Sequence, residues 1–329
     1  MGVDMRSDEI IGHDIIMNSL RRSIASGRIF HSYLFEGEES IGKRKVASVF
    51  AKALLCNRGR DEACNECISC IKFDPGNHPD FQLIGPENQL INIRMIYRLV
   101  NTINIAPLES NRKVIIIDDC HCMRLEAQNT LLKTLEDPPN YINIILITSN
   151  PGRLVPTILS RCQVVKFHPV ESSRITELLM ARYNRTWEEA NFIAHFTKGS
   201  VGRSIQIAES PDFETNRHKI IELIDRVIAG DRMDIFTARD FFLDNKEAIE
   251  DVLDIMLYWF RDLAIYKETG DSGLIINMDS ISLLSKQSYL GMDRINDIIE
   301  GIMEAKDNVL GSINYQLSIE TMLLGMQEV

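Results

Sequence analysis

The most constraining feature of the chain is a short apolar run, SYLFE at 32–36. It passes into Gly37-Glu38-Glu39-Ser40-Ile41-Gly42-Lys43-Arg44 and then into an amphipathic stretch reaching about Cys56. Strand, glycine-rich turn and helix in that order make a P-loop. Its glycines let peptide N–H groups turn inward around phosphate, the helix N-terminus adds its dipole, and Lys43 supplies a point charge. A glycine turn with a surface lysine is the bland alternative, and the flanking strand and helix weigh against it. Gly37, Gly42 and Lys43 are therefore candidate phosphate-binding residues, and ATP or ADP the candidate ligand. One position departs from the pattern. The residue after the lysine should be Ser or Thr, whose hydroxyl ligates Mg²⁺, and here it is Arg44, which has no lone pair to offer and carries a repelling charge.

The rest of the first 168 residues alternates apolar runs with helical patterns, as parallel α/β units do. Strands are expected at 113–118 (KVIIID), 143–148 (NIILIT) and 163–167 (QVVKF), the first two apolar enough to be buried on both faces. A helix is expected over 124–136, stopped by Asp137-Pro138-Pro139. Asp118, at the acidic end of its strand, is placed as a metal-ligating carboxylate. Asp119 stands where a Glu would polarise an attacking water, one methylene shorter.

Four of the seven cysteines, Cys56, Cys64, Cys67 and Cys70, fall within fifteen residues. Two-residue gaps let consecutive thiolates turn onto one tetrahedral ion, and the surrounding NRGRDEACNECISC has almost nothing apolar with which to form its own core. Structural zinc is the expectation. Four thiolates leave no open position, so this ion is not expected to catalyse. Cys120 and Cys122 read as packing residues.

Beyond about Glu171 the strand signal disappears. Residues 171–208 read as a small helical module, and everything after Pro211 as helix, with Val252, Leu253, Met256, Trp259, Phe260 and Leu263 forming one apolar face. All ten prolines lie between Pro75 and Pro211. Residues 211–329 carry 11 Lys and Arg against 23 Asp and Glu, a poor surface for a phosphate backbone. No apolar run approaches the roughly 18 residues of a membrane span, and the acidic N-terminus lacks an export core. A cytoplasmic protein is expected, without a membrane partner.

Arg161, between 154–159 (a helix-like segment) and the strand at 163, is by itself an ordinary loop charge. Its meaning changes with the wider pattern. IIGHDIIMNSLRRSI, GRIFHSYLFEG, the altered P-loop, the four-cysteine insertion, NTLLKTLEDPPN and ILSRCQ together resemble the bacterial DNA polymerase III clamp-loader subunits, which are AAA+ proteins. The resemblance covers residues 9–208; the C-terminal third matches mainly in length and helical character. Within the family the chain is similar to the delta prime type rather than the tau/gamma ATPase. The ATPase type keeps Thr or Ser where Arg44 stands and Asp-Glu where Asp118-Asp119 stand. It also carries a lid arginine where this chain has Gly202, with Arg203 one place later.

The resemblance implies an α/β AAA+ P-loop domain with a parallel sheet over 1–168, carrying the cysteine insertion at 56–70. A small helical lid follows over 169–208, then an all-α collar for oligomerisation over 209–329. It implies a subunit without ATPase activity of its own inside a DNA polymerase holoenzyme. Its partners would be tau/gamma and delta subunits and, through the complex, a sliding clamp and primer-template DNA. It gives Arg161 the role of an arginine donated to the neighbouring subunit's ATP, with Ser160 and Cys162 as turn and packing residues. Family members differ in whether their P-loop holds nucleotide, and Arg44 leaves that open here. The competing reading is an active tau/gamma-type or stand-alone AAA+ motor, from which Arg44 separates this chain.

Overall fold

The computed structural model describes residues 10–59, 61–230, 232–311 and 314–327, without the side chains of 232 and 233. The N-terminal stretch read above as lacking an export core lies, up to residue 9, outside them. Helix α1 (Asp14–Ala25) leads into β1 (Ser32–Glu36), α2 (Lys43–Leu55), α3 (Ile68–Phe73), β2 (Phe81–Ile84) and α4 (Ile93–Ile103). There follow β3 (Lys113–Ile117), α5 (Leu125–Glu136), β4 (Ile142–Thr148), α6 (Pro156–Leu159) and β5 (Gln163–Lys166). The five strands are parallel, in the order β2-β3-β4-β1-β5.

Parallel neighbours need crossover connections, which cover both faces with helices. Alternation along each strand sorts side chains between two cores. Tyr33, Phe35, Val114, Ile116, Ile145 and Ile147 pack under α1 and α2. Leu34, Ile115, Ile117, Ile144 and Leu146 pack against α4 and α5. Each expected strand is present to within a residue. The helix expected over 124–136 begins at Leu125 with Arg124 as its N-cap, and ends where Asp137-Pro138-Pro139 removes the helical continuation. β2 was not anticipated. It is a four-residue edge strand, half-exposed along most of its length, so it lacks the apolar run that betrays the central strands.

The register fixes which residues share an edge. Glu36 pairs with Thr148, and Ile117 with Leu146, so Gly37 and Asp118 both emerge at the carboxyl edge. Tyr33 pairs with Gln163, so the residues ahead of β5 lie at the opposite edge.

The chain forms two compact units: the residues up to Arg174 with Gly199–Arg203, and Ile175–Lys198 with Ser204 onward. After Lys166 the described residues contain helices and no strand. They are α7 (Ser172–Tyr183), α8 (Trp187–Phe196), α9 (Val201–Glu209), α10 (Phe213–Ala229) and α11 (Arg232–Asp244), then α12 (Ile249–Thr269), α13 (Ile281–Gln287), α14 (Met292–Leu310) and α15 (Tyr315–Gln327). The apolar face expected along α12 is buried throughout, and its Trp259 donates to Gln287 Oε1 at 2.8 Å.

Within this second unit the charges are organised around Arg217, only 1 % exposed. Its guanidinium donates to both Asp279 oxygens at 2.7 and 3.0 Å and to Asn277 Oδ1 at 2.8 Å, and lies 3.9 Å from the centre of the Phe192 ring. Burial pushes the Asp279 carboxyl up, but Arg217 outweighs it and holds the group below the usual range. Asn277 in turn donates to the fully buried Asp262. Removing one member of such a pair leaves a buried charge uncompensated, at about 3–5 kcal/mol. We expect Arg217→Ala to lose a stability of that order in urea denaturation, against a change within about 0.5 kcal/mol for Arg226→Ala in its exposed pair with Glu222.

Candidate functional site

The P-loop leaves β1 at Gly37 and enters α2 at Gly42, whose φ of +105° is open to glycine and strained for other residues. Lys43 is only 6 % exposed; its Nζ donates to Gly37 O at 2.7 Å and to Glu38 O. Ser200 Oγ donates to Glu39 O at 3.2 Å, the Gly202 N–H to Ser40 O at 2.8 Å, and His13 Nε2 to Ile41 O at 2.6 Å. Five successive carbonyls are thereby taken. The peptide N–H groups of residues 38–42 have no protein acceptor among the described residues. Of these residues, Glu39, Ser40 and Gly42 line a cavity of about 330 Å³, together with Lys43, Arg44, Asp118, Asp119 and Gly202.

Arg44 and Asp118, which the sequence set apart as a misplaced cation and a candidate metal ligand, face each other here. Arg44 Nη1 lies 3.4 Å from Asp118 Oδ2, with Arg44 largely exposed and Asp118 largely covered. Burial and the neighbouring Asp119 push the Asp118 carboxyl up, and Arg44 pulls it down. Burial likewise lowers Lys43, with Asp119 and Asp118 opposing. Gly202 was noted in the sequence only as a missing arginine. A Cβ there would stand 2.8 Å from Ser40 O, so the loop leaves no space for a side chain at that position.

The four cysteines converge. Cys56 caps the end of α2, Cys67 begins α3 and Cys70 lies within it. Their Sγ atoms all lie within 4.8 Å of one another, and Cys56 and Cys67 are 3.9 Å apart. A tetrahedral ion with bonds of about 2.3 Å has thiolates about 3.8 Å apart, so the donor set fits a thiophilic divalent ion. The N–H groups of Gly59 and Cys64 point at Cys56 Sγ at 3.0 and 3.4 Å, and that of Cys70 at Cys67 Sγ at 3.4 Å. Burial raises the Cys67 thiol, but the hydrogen bonds from Cys70 and Asn57 prevail and bring it down to about 6; burial pushes Cys70 up. Cys120 is fully buried and its thiol is pushed well up, and burial raises Cys162 to about 12, which suits the packing roles expected for both.

A network that no sequence pattern announced ties the cysteine segment down. Ser69 Oγ and Ser110 Oγ both donate to Leu55 O, at 2.6 and 2.9 Å. His78 Nδ1 accepts from the Asp80 N–H at 3.1 Å, which assigns the ring proton to Nε2, 2.9 Å from Ser69 Oγ. The Asp80 carboxylate accepts from the N–H groups of Leu108, Glu109 and Ser110 at 2.7, 2.9 and 2.8 Å.

Arg161 lies between α6 and β5, a third exposed, with Nη2 on Glu136 Oε1 at 2.7 Å and Nη1 on Thr157 O at 3.0 Å. The register puts it at the edge of the sheet opposite this chain's own P-loop. The structure thus groups Gly37, Gly42, Lys43 and Asp118 at one site and the four cysteines at a second, and leaves Arg161 apart.

A P-loop at the carboxyl edge of this parallel sheet, with an acidic pair leaving β3 beside it, defines a P-loop α/β fold. A family model described as DNA polymerase III, delta subunit, matches residues 12–171, and one for its C-terminal region matches 211–328. The DNA polymerase III subunit delta' of Bacillus subtilis (strain 168) is 30% identical over 317 residues, 95% of this chain and 95% of that one. Subunit tau of the same organism is 36% identical over 173 residues, 52% of this chain and 30% of its own. A DNA polymerase III gamma subunit-related protein from Thermotoga maritima aligns over 94% of this chain and 98% of that one at 17% identity, with a TM-score of 0.43. The chain belongs to the family of DNA polymerase III delta' subunits. No described helix is long and apolar enough to cross a membrane.

The Asp80 carboxyl gives the site a pH dependence. Burial raises it, but the three N–H groups prevail and hold it below its ordinary value. A carboxyl depressed in the folded state stabilises above the unfolded pKa of about 3.9 and loses that contribution as pH falls through the folded value. We expect Asp80→Asn to lower the urea midpoint at neutral pH, and the difference from the unmodified chain to shrink as pH is lowered below about 4.

Proposed function

We propose that the chain is the stator of a DNA polymerase III clamp loader. It does not hydrolyse ATP itself, and it lends Arg161 to the ATP held by a neighbouring subunit while the assembly opens a sliding clamp onto primed DNA. The observation that carries this reading is the Arg44–Asp118 ion pair. Phosphoryl transfer in P-loop proteins needs Mg²⁺ on a hydroxyl after the lysine and on an acid such as Asp118. Here the hydroxyl is absent and the acid faces a guanidinium. ATP turnover by the purified chain, abolished by Lys43→Ala, would refute the reading.

Family membership supports tau/gamma and delta subunits as partners, with the clamp and primer-template DNA reached through the complex. The helices of 209–329 serve as the collar by which it joins them, and 169–208 as the lid behind the P-loop domain of 1–168. Zinc is the ion we assign to Cys56, Cys64, Cys67 and Cys70, where it pins the end of α2 to α3 and takes no part in catalysis. Metal analysis of the reduced, chelator-free chain should return about one zinc per chain, and markedly less for Cys67→Ser. Near-zero zinc in a folded preparation excludes the assignment.

Charge developing on the γ-phosphoryl oxygens is stabilised by a guanidinium supplied from outside, whose planar fork gives two donors. Arg161 cannot serve its own pocket, since the length of β1, about 13 Å, separates the two edges of the sheet. An arginine finger contributes roughly 10³–10⁵ in turnover at the site it serves. In the reconstituted complex, Arg161→Ala should leave zinc content and assembly unchanged, depress clamp loading strongly and lower total ATPase only in part. Clamp loading at the unmodified rate under saturating ATP would return Arg161 to the status of a surface charge.

A further inference from the structure

We propose that the P-loop cavity binds the polyphosphate of a nucleoside di- or triphosphate without a divalent cation, with Arg44 standing where the metal would stand. This deepens the stator reading: the pocket that cannot hydrolyse remains a pocket for the anion.

The observations are independent of one another. The cavity of about 330 Å³ is present, and Lys43 lines it with its side chain almost wholly buried. A cation nine-tenths buried at the mouth of a helix is favourable only beside negative charge; Gly37 O and Glu38 O offer Lys43 partial charges, and Asp118 and Asp119 share its cavity, so an incoming anion would meet a cation already placed for negative charge. The peptide N–H groups of Glu39, Ser40 and Gly42, which line the cavity and have no acceptor among the described residues, add donors of the kind P-loops offer to phosphate.

Asp118 and Asp119, with Glu39 at the rim of the loop, also line the cavity, and their carboxylates would repel a phosphate chain, against the cations of Lys43, Arg44 and Lys45. In a metal-dependent P-loop Mg²⁺ resolves that conflict by bridging carboxylate and phosphate. Arg44 can resolve it differently. A guanidinium has five donors in one plane, so the edge that does not face Asp118 stays available to phosphate oxygens. The side chain is 63% exposed while its Nη1 is 3.4 Å from Asp118, so it can turn toward an anion without giving up a buried position. The same charge opposes Mg²⁺ at Asp118, so the metal and the guanidinium compete for one place.

The test is ADP binding to the full-length chain by calorimetry, once in excess EDTA and once in excess Mg²⁺. The expected result is saturable binding in EDTA that Mg²⁺ does not tighten. Arg44→Ala should weaken ADP about tenfold or more in EDTA, the loss of a charged hydrogen-bonding partner. Arg44→Thr should make binding depend on Mg²⁺. Absence of ADP binding in EDTA, or binding by the unmodified chain that Mg²⁺ tightens about tenfold, overturns the inference. Neither result touches the stator reading, which falls only if the unmodified chain turns over ATP.

Discussion

Helix α2 lies so deep against the sheet that Lys43 and Lys52, one near each end, are both buried, and each charge has to be answered inside the protein. Lys43 is answered by the carbonyls that open the P-loop. Lys52 is answered by Asp74 at 2.7 Å, just beyond α3. The burial follows from Val46, Ala47, Phe50, Ala51 and Leu54, which place one face of the helix on β1, β3 and β4. With the helix so fixed, the loop before it and the cysteine after it are fixed too. Cys56 follows Leu55 directly, and the Leu55 carbonyl is held by two serines. The P-loop cavity and the cysteine cluster are thus the two ends of one rod about 20 Å long.

This arrangement separates two kinds of electrostatic work. At the cysteine end the backbone supplies N–H groups to sulfur, which favours thiolate and so an ion of opposite charge. At the P-loop end the side chains mix cations with acids, Lys43 and Arg44 against Asp118 and Asp119, beside the N–H groups of the loop. Because α2 is clamped at both ends, neither site can be lost by fraying of the helix alone.

Much of this was legible in the residues. VIII and IILI announced β3 and β4 because a strand buried on both faces has no polar alternation to interrupt it. The four cysteines announced one another by spacing, and Arg44 marked where the loop departs from the P-loop pattern. What was not legible has a common cause: it depends on residues far apart in the chain. Arg217, within α10, meets Asp279 across 62 residues, and Asp80 meets Leu108 across 28, in a loop without periodicity. β2 escaped because an edge strand of four half-exposed residues carries too little apolar signal. Glu136, the partner of Arg161, read only as the end of a helix. There a carboxylate is disfavoured by the helix dipole, and Arg161 relieves it.

Gly202 shows how a backbone contact can fix the identity of a residue. By the resemblance drawn from the sequence, the ATPase type carries an arginine at this place. Here the backbone has closed over the position, with the Gly202 N–H bonded to Ser40 O and no room for even a methyl group. Restoring the hydroxyl at 44 and the longer acid at 119 are changes of side chain alone. Restoring the arginine requires the loop to retreat from α9 first. A side chain at this position is therefore limited by shape as well as chemistry, and the order of substitutions decides whether one can be introduced.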